Sequence, residues 1–291
     1  MLRKRGGTTT KLQSAMEYLM TYGWAILIIA VVLGALFQLG VFNSSSFSPR
    51  APPGACQVFR PSGPGTITNI NLMGVCTGQL PQYVAQLNAA SSYVAVANPS
   101  MSGITTAITI SAWMKLSGAN VDYNNLILTN AGNAGFSLLL AIRGSDGNVI
   151  WYIPGIPYMG FGAFSQLKTG WNHVSVTYDA NAGANNVKFY INGALQNQQT
   201  NTGTPSATTD IKIGYSANYN FQGSLSNFQI YNTSLSANQI QALYLEGIGG
   251  APMKLQNLMA WWPLNGDTKD YSGNNNNGVP SSITFTSQYG K

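Results

Sequence analysis

Charged residues are scarce in this chain, and so are glutamate, histidine and cysteine, which often serve as catalytic residues. Only 8% of the 291 residues are charged, roughly a third of the fraction usual in soluble domains. Glu17 and Glu246 are the two glutamates, whereas most glycoside hydrolases use a close pair of carboxylates. One histidine, His173, and two cysteines are too few for a zinc site or a nucleophilic triad. The sequence therefore predicts a protein that is not an enzyme.

The excess of basic residues is confined to the N-terminus. The net charge is +6, but four of the 14 lysines and arginines (Arg3, Lys4, Arg5 and Lys11) precede Leu12, which leaves ten basic against eight acidic residues in the rest of the chain. Recognition of nucleic acid needs a basic face on the folded domain. We therefore expect no nucleic-acid partner.

An apolar segment follows the basic cluster. Residues 22–42 contain no charge, and Gln38 is their one strongly polar residue. About twenty such residues cross a bilayer as a helix, and the basic cluster predicts a cytoplasmic N-terminus. We expect a leader at 1–12, a transmembrane helix at 13–42 and export of the rest. A cleaved secretory peptide is disfavoured because no A-x-A site follows the segment, which leaves a plain anchor or a helix that also assembles.

The residues before this segment decide between those two interpretations. The basic leader followed by Gln13-Ser-Ala-Met-Glu17 resembles the start of mature archaeal type IV pilins. The resemblance implies cleavage by a prepilin peptidase-like enzyme and self-assembly into a filament. It also implies that Glu17 pairs with a neighbouring subunit's amino terminus, although a solvated Glu17 at the membrane interface is the alternative. Leu12 replaces the usual small residue before Gln13, so cleavage after Gly7 is the other candidate.

A linker rich in Ser, Pro and Gly is expected at 43–82. Cys56 and Cys76 lie twenty residues apart on the predicted exported side, which favours a disulfide. Asn43 begins an N-S-S sequon and Asn232 an N-T-S sequon, so both are candidate glycosylation sites.

Residues 83–250 read as short β-prone runs separated by turns, with one helix near Ser236–Glu246 capped by Ser236 and ended by Gly247. Alternating apolar and polar residues predict an antiparallel β-sandwich. The order of four motifs resembles the laminin-G-like or concanavalin A-like jelly roll: ITISAWMK, WNHVSVTYD, VKFYINGALQ and FQGSLSNFQIYNTSLSANQIQALYLEG. The expected fold class is mainly β, with a long N-terminal helix before the sandwich.

The C-terminal segment, 251–291, resembles the opening element of the same fold, displaced to the end of the chain. A lone strand cannot bury its face, so we expect this segment to complete the sandwich, within the chain or between neighbours. Asp267 and Asp270, followed by four asparagines, resemble a loop that holds calcium in some relatives. The competing interpretation is a glycine-asparagine turn, and no other cofactor is expected.

Aromatic residues in a Gly/Pro-rich stretch suggest contact with sugars or cover for a sandwich edge. They are Tyr152, Tyr158, Phe161 and Phe164. Taken together, the sequence predicts a subunit of a surface filament, made as a membrane precursor, with a lectin-like adhesive head. The alternative is a single-span, non-polymerising surface protein that binds carbohydrate.

Overall fold

The computed structural model describes residues 9–38, 56–59, 67–70, 81–89, 91–97, 99–101, 103–117, 124–129, 138–153, 159–204, 210–215 and 220–287. The described residues fall into two units, one containing the N-terminal helix and the other containing the strands. Each unit is described by itself below.

The N-terminal unit contains helix α1 (Thr9–Gln38). The large apolar side chains whose exposure is described along it, from Tyr18 and Met20 to Leu33, are 47–66% exposed. Leu12, Gln13 and Glu17 lie within α1, whereas Gly7 lies outside the described residues. The sequence predicted a membrane-crossing helix over 13–42. No helix in the described part of the chain is both long and apolar enough to cross a bilayer.

Helix α2 (Ala237–Glu246) begins and ends as its sequence predicted. The Oγ of Ser236 accepts from the main-chain N–H of Gln239, and the side chain of Gln239 accepts from the N–H of Ser236. This reciprocal pair forms a capping box. Gly247 ends the helix at φ +83°, a conformation that glycine adopts without strain.

Antiparallel strands make up most of the regular secondary structure of the second unit. In chain order the described strands are β1 (Cys56–Phe59), β2 (Ile67–Ile70), β3 (Val84–Leu87), β4 (Tyr93–Val96), β5 (Ala107–Leu116), β6 (Asn124–Thr129), β7 (Leu138–Ile142), β8 (Asn148–Tyr152), β9 (Met159–Ala163), β10 (Asn172–Asp179), β11 (Val187–Ile191), β12 (Ala194–Gln199), β13 (Ile211–Ile213), β14 (Gly223–Tyr231), β15 (Leu258–Trp262), β16 (Val279–Ser281) and β17 (Thr284–Thr286).

Two large sheets form the sandwich, and β1 and β2 pair separately. The larger sheet has the order β12-β11-β10-β5-β14-β3-β17, with β15 also paired to β14. The smaller sheet has the order β16-β4-β13-β6-β7-β8-β9. All the pairings are antiparallel, as in β12 against β11 and β16 against β4. The expected mainly β sandwich is confirmed.

The C-terminal segment enters both sheets. β15 pairs with the second half of β14, where Phe228 lies opposite Trp262, and β3 pairs with the first half. β16 pairs with β4, and β17 pairs with β3. The segment thus fills the edge of β14 left open by the short β3, through pairing within one chain.

The core lies between the two sheets, and a second buried layer lies outside the larger one. In β5, Ile108, Ile110 and Met114 join the main core, while Thr109 and Ser111 on the opposite face are 0% and 1% exposed. A two-layer sandwich would leave that opposite face in water. A smaller cluster that includes residues of α2 packs there instead, which explains why β10 and β14 are also buried on both faces.

One expectation is wrong, and three others concern residues outside the described part of the chain. Phe161 is 2% exposed and stacks on Phe189, with ring centroids 5.3 Å apart, so it is a core residue in β9 and not a sugar-stacking residue on a loop. Cys56 lies in β1 but Cys76 lies outside the described residues, so the disulfide between them stays a prediction. Tyr158 and Asn43 also lie outside it.

Candidate functional site

A small pocket opens where β14 and β15 lie side by side. Its volume is about 140 Å³. The lining combines an aromatic side chain, two amide side chains and several apolar residues: Pro81, Asn227, Ile248, Gly249, Trp261, Pro263 and Asn265. These residues come from four separate parts of the sequence, so only folding brings them together.

A β-bulge in β14 shapes one wall of the pocket. The register between β14 and β5 shifts between Ser226 and Gln229, and Asn227 takes the left-handed conformation with φ +53°. Asparagine tolerates this conformation better than most residues. Bulges commonly redirect side chains beside functional sites. Here the bulge lets the side chain of Asn227 meet β15 and the residues after α2.

Asn227 is 5% exposed, and its side chain makes three hydrogen bonds. Its Oδ1 accepts hydrogen bonds from the Nε1 of Trp261 over 2.7 Å and from the Nε2 of Gln229 over 2.8 Å. Its Nδ2 donates to the carbonyl oxygen of Gly250 over 2.8 Å. Asn227 therefore orients the indole of Trp261 and is not a free ligand-binding group.

Trp261 and Tyr271 form the aromatic part of the site. Their rings meet edge to face with centroids 6.1 Å apart, and Tyr271 is 54% exposed. The main-chain N–H of Tyr271 donates to the carbonyl oxygen of Trp261. This pair presents apolar ring surface next to solvent, an arrangement suited to the C–H faces of a ligand.

Asp270 builds the loop that carries Tyr271. Its carboxylate accepts from the main-chain N–H groups of Trp261, Ser272 and Asn276 and from the Oγ of Ser272, over 2.8–2.9 Å. With four donors pointing at it, this carboxylate organises the turn.

Asp267, the other candidate calcium ligand, accepts from the hydroxyl of Tyr271 over 2.9 Å, and this bond raises the pKa of Tyr271. Within the described residues, no group of three or more His, Cys, Asp or Glu gathers where it could hold a metal ion. The structure thus places Asp267 and Asp270 in the asparagine-rich loop that the sequence singled out, with their oxygens bonded to loop donors.

Asn265 supplies the polar group that remains available. Its Oδ1 accepts from the main-chain N–H of Tyr83 over 2.7 Å, which fixes the amide plane. Its exposed side chain has no other hydrogen bond to the residues that the structure describes. The Nδ2 therefore has both of its protons free to donate to a ligand in the pocket.

The comparisons with known proteins agree with this architecture. A family profile described as the concanavalin A-like lectin/glucanases superfamily matches residues 88–241, more than half of the chain. The chain belongs to this superfamily. No match was found among curated protein sequences.

Two solved structures of this concanavalin A-like fold illustrate the likeness. A Bacteroides ovatus protein to which carbohydrate binding is ascribed is 17% identical, with a TM-score of 0.57, and the alignment covers 76% of this chain and 66% of that one. A pentraxin from Limulus polyphemus is 12% identical, with a TM-score of 0.50 and coverage of 70% and 94%. At these identities the likeness concerns the fold.

The single histidine of this concanavalin A-like sandwich lies in the second buried layer, away from solvent. The Oγ of Ser111 lies 2.8 Å from the Nε2 of His173 and accepts from the Oγ of Ser175 over 3.0 Å. The Nδ1 of His173 has no partner among the described residues, and burial lowers the pKa of His173 to about 3. This serine–histidine contact, joining residues 62 positions apart, could not be read from the sequence. Among the described residues no acid bonds to the Nδ1 of His173, and His173 itself is buried.

The candidate glycosylation site Asn232 lies just after β14. Its Oδ1 accepts from the Nδ2 of Asn257 over 2.9 Å, so its side chain takes part in packing the segment before β15. The residues that form the pocket, above all Asn227, Trp261 and Asn265, were missed by sequence reasoning. The sequence feature that could have indicated this site is the Trp261-Trp262 pair, which lies in a polar segment that contains aspartates.

Proposed function

We propose that the sandwich binds carbohydrate in the pocket between Trp261 and Asn265, and that it does so without catalysis. The observation that carries this proposal is the combination of an oriented indole with a fixed, available amide nitrogen. Sugars offer C–H faces that pack on aromatic rings and hydroxyl groups that accept from amides.

The size of the pocket limits the ligand. Enclosed small-molecule sites commonly measure about 300–1,000 Å³, and this pocket measures about 140 Å³. It therefore accommodates one sugar ring, with the rest of a glycan in solvent and beside Tyr271. Membership of a lectin-containing superfamily supports the ligand class, as does the function ascribed to the Bacteroides ovatus protein.

Glycan-array screening of the full chain, followed by calorimetry with the best neutral oligosaccharide, tests this proposal. Trp261→Ala removes the ring and should weaken binding by about tenfold or more, equivalent to about 1.4 kcal/mol. Trp261→Phe keeps a ring and should lose less. Lys269→Ala, an exposed change in the same loop, is the matched control. Equal affinity for Trp261→Ala and the unchanged protein would exclude the pocket as the site.

A second proposal concerns α1 and location at the cell surface. We infer that α1 helices of several copies pack together and that the sandwich heads are displayed outside the cell. Two observations support this: the apolar side chains of α1 are exposed in the single chain, and helices that are apolar all round are normally buried. The pilin-like residues around Glu17 point to the same assembly.

Electron microscopy of sheared surface material, with N-terminal sequencing of the recovered chain, tests the assembly. Filaments whose subunit begins near Gln13, or after Gly7, would support a processed filament subunit. An intact leader found only in the membrane fraction would support the non-polymerising alternative.

A further inference from the structure

A second surface with ligand-binding chemistry lies on the outer face of the smaller sheet. Val94, Val96, Ile211 and Ile213 of β4 and β13 are at most 1% exposed and point into the core. Since side chains alternate along a strand, Tyr93 and Lys212 point outward. Lys212 lies opposite Ala95, and so diagonal to Tyr93 on the neighbouring strand.

Gly214 brings a second tyrosine to the same place. It has φ +86°, and a Cβ there would lie 2.2 Å from the Cδ2 of Leu87. Only glycine therefore permits the chain to leave β13 in this way. Tyr215 follows directly, and its ring lies 4.7 Å from that of Tyr93, at an interplanar angle of 54°.

The Nζ of Lys212 lies over both rings, 4.4 Å from the centroid of Tyr215 and 5.3 Å from that of Tyr93. Such cation–π contacts hold the ammonium group in position. In the described part of the chain the ion pair is Arg143 with Asp146, so Lys212 has no carboxylate partner there. The ammonium keeps donors for an incoming anion.

We propose that Tyr93, Lys212 and Tyr215 form a second saccharide-binding surface, which accepts a sugar ring carrying an anionic group. The tyrosine rings pack against the sugar, and Lys212 pairs with its carboxylate or sulfate. A neutral sugar would use the rings but leave the ammonium without an anionic partner. β16 borders this surface, because Val279, 67% exposed, lies opposite Ala95.

This surface is independent of the Trp261 pocket. It lies on the smaller sheet, whereas the pocket lies beside β14 and β15 of the larger one. A protein with both would bind a neutral ring at one place and an acidic ring at another, which suits adhesion to a mixed polysaccharide coat.

Affinity electrophoresis of the full chain in gels containing polygalacturonate, dextran sulfate or neutral dextran tests the proposal. The chain should be retarded by at least one of the two anionic polymers more than by neutral dextran. The effect should shrink at high salt, since exposed ion pairs are screened. The anionic polymer that retards the chain more shows whether the surface prefers a carboxylate or a sulfate group.

Substitutions distinguish this surface from general attraction to a basic protein. Lys212→Gln should weaken retardation at least tenfold, and Tyr215→Ala should weaken it several-fold. Lys188→Gln removes the same charge from β11 of the larger sheet and should change it less than twofold. Equal losses for Lys212→Gln and Lys188→Gln, or no retardation by either anionic polymer, would overturn the proposal.

Two further measurements distinguish loss of this surface from unfolding of a variant and from loss of the Trp261 pocket. Thermal unfolding of each variant verifies that the sandwich remains folded. Trp261→Ala should leave retardation by the anionic polymer unchanged while weakening binding of the neutral oligosaccharide. Loss of both activities in Trp261→Ala would contradict the existence of a separate surface.

Discussion

The indole Nε1 of Trp261 donates a 2.7 Å hydrogen bond to the Oδ1 of Asn227, 34 residues earlier in the chain. The bond joins β15 of the C-terminal segment to the bulge of β14. Gln229 donates to the same oxygen and accepts from the hydroxyl of Tyr231. The aromatic side chain of the candidate site is thus oriented by a polar network that begins in the buried layer outside the larger sheet.

Removing the amide of Asn227 should destabilise the sandwich and loosen Trp261. Asn227→Ala leaves the buried donor of Gln229 and the buried carbonyl oxygen of Gly250 unpaired, at a cost of about 1–3 kcal/mol for each unsatisfied group. Alanine at φ +53° adds about 1 kcal/mol of strain. Urea unfolding should therefore show a loss of several kcal/mol. Asn227→Gly, which lacks the strain, should lose less, and an equal loss would show that backbone conformation contributes nothing here.

Gly223 should tolerate no side chain. It lies at the start of β14 with φ +149°, and a Cβ would meet the carbonyl oxygen of Lys115 at 2.0 Å. Since that oxygen belongs to the backbone of β5, Gly223→Ala must displace one of two central strands. We expect a loss of more than about 3 kcal/mol, among the large single-residue effects.

Gly183→Ala is the matched control for this change. Gly183 also has positive φ, +71°, but nothing lies within 4 Å of its Cβ position. Its substitution should cost only about 1 kcal/mol of conformational strain. Similar unfolding midpoints for the two variants would contradict the close approach of β14 to β5.

Acid should destabilise the sandwich through His173. Burial lowers its pKa in the folded state to about 3 from the usual 6.5, so below pH 6.5 the unfolded chain binds a proton that the folded chain does not. The contribution of neutral His173 to the free energy of unfolding is therefore fully present above pH 6.5. Below that pH the free energy of unfolding falls by up to about 1.4 kcal/mol per pH unit towards pH 3.

Denaturant titrations between pH 7 and pH 5 measure this slope before most carboxylates titrate. His173→Gln keeps a polar group near Ser111 and removes the titration, so its stability should vary less with pH, whatever its stability at pH 7. Parallel pH profiles for the two proteins would show that His173 has the same pKa in the folded and unfolded states.

The C-terminal segment should be required for folding. Ending the chain after Lys254 removes β15, β16 and β17 together with Trp262, which is 0% exposed. The truncation uncovers the edge of β14 and part of the core, so we expect aggregation on expression. Ending the chain after Ser287 keeps every described strand and should leave the unfolding temperature within about 2 °C. Soluble, cooperatively unfolding protein from the shorter chain would contradict this role.

Local signals were sufficient for the class of fold. Alternation in segments such as Asn172–Asp179 predicted strands, and Ser236 with Gly247 predicted both ends of α2, because strand periodicity and helix capping depend on residues within one or two turns. The incomplete jelly roll and the displaced opening element likewise led to the expectation that residues after 258 join the sandwich.

Tertiary structure alone decided which of these residues meet. Nothing local marks Ser111 as buried, since its polar side chain occupies what looks like a solvent face until the α2 region packs over it. Trp261 with Asn227, and Tyr93 with Lys212, are brought together by strand register across tens of residues. The sequence suggests that Phe161 lies on a loop, but strand pairing places it in the core. Sequence encodes the periodicity of each element, but contacts between distant elements depend on how the sheets pair and close, and the binding surfaces are made from those contacts.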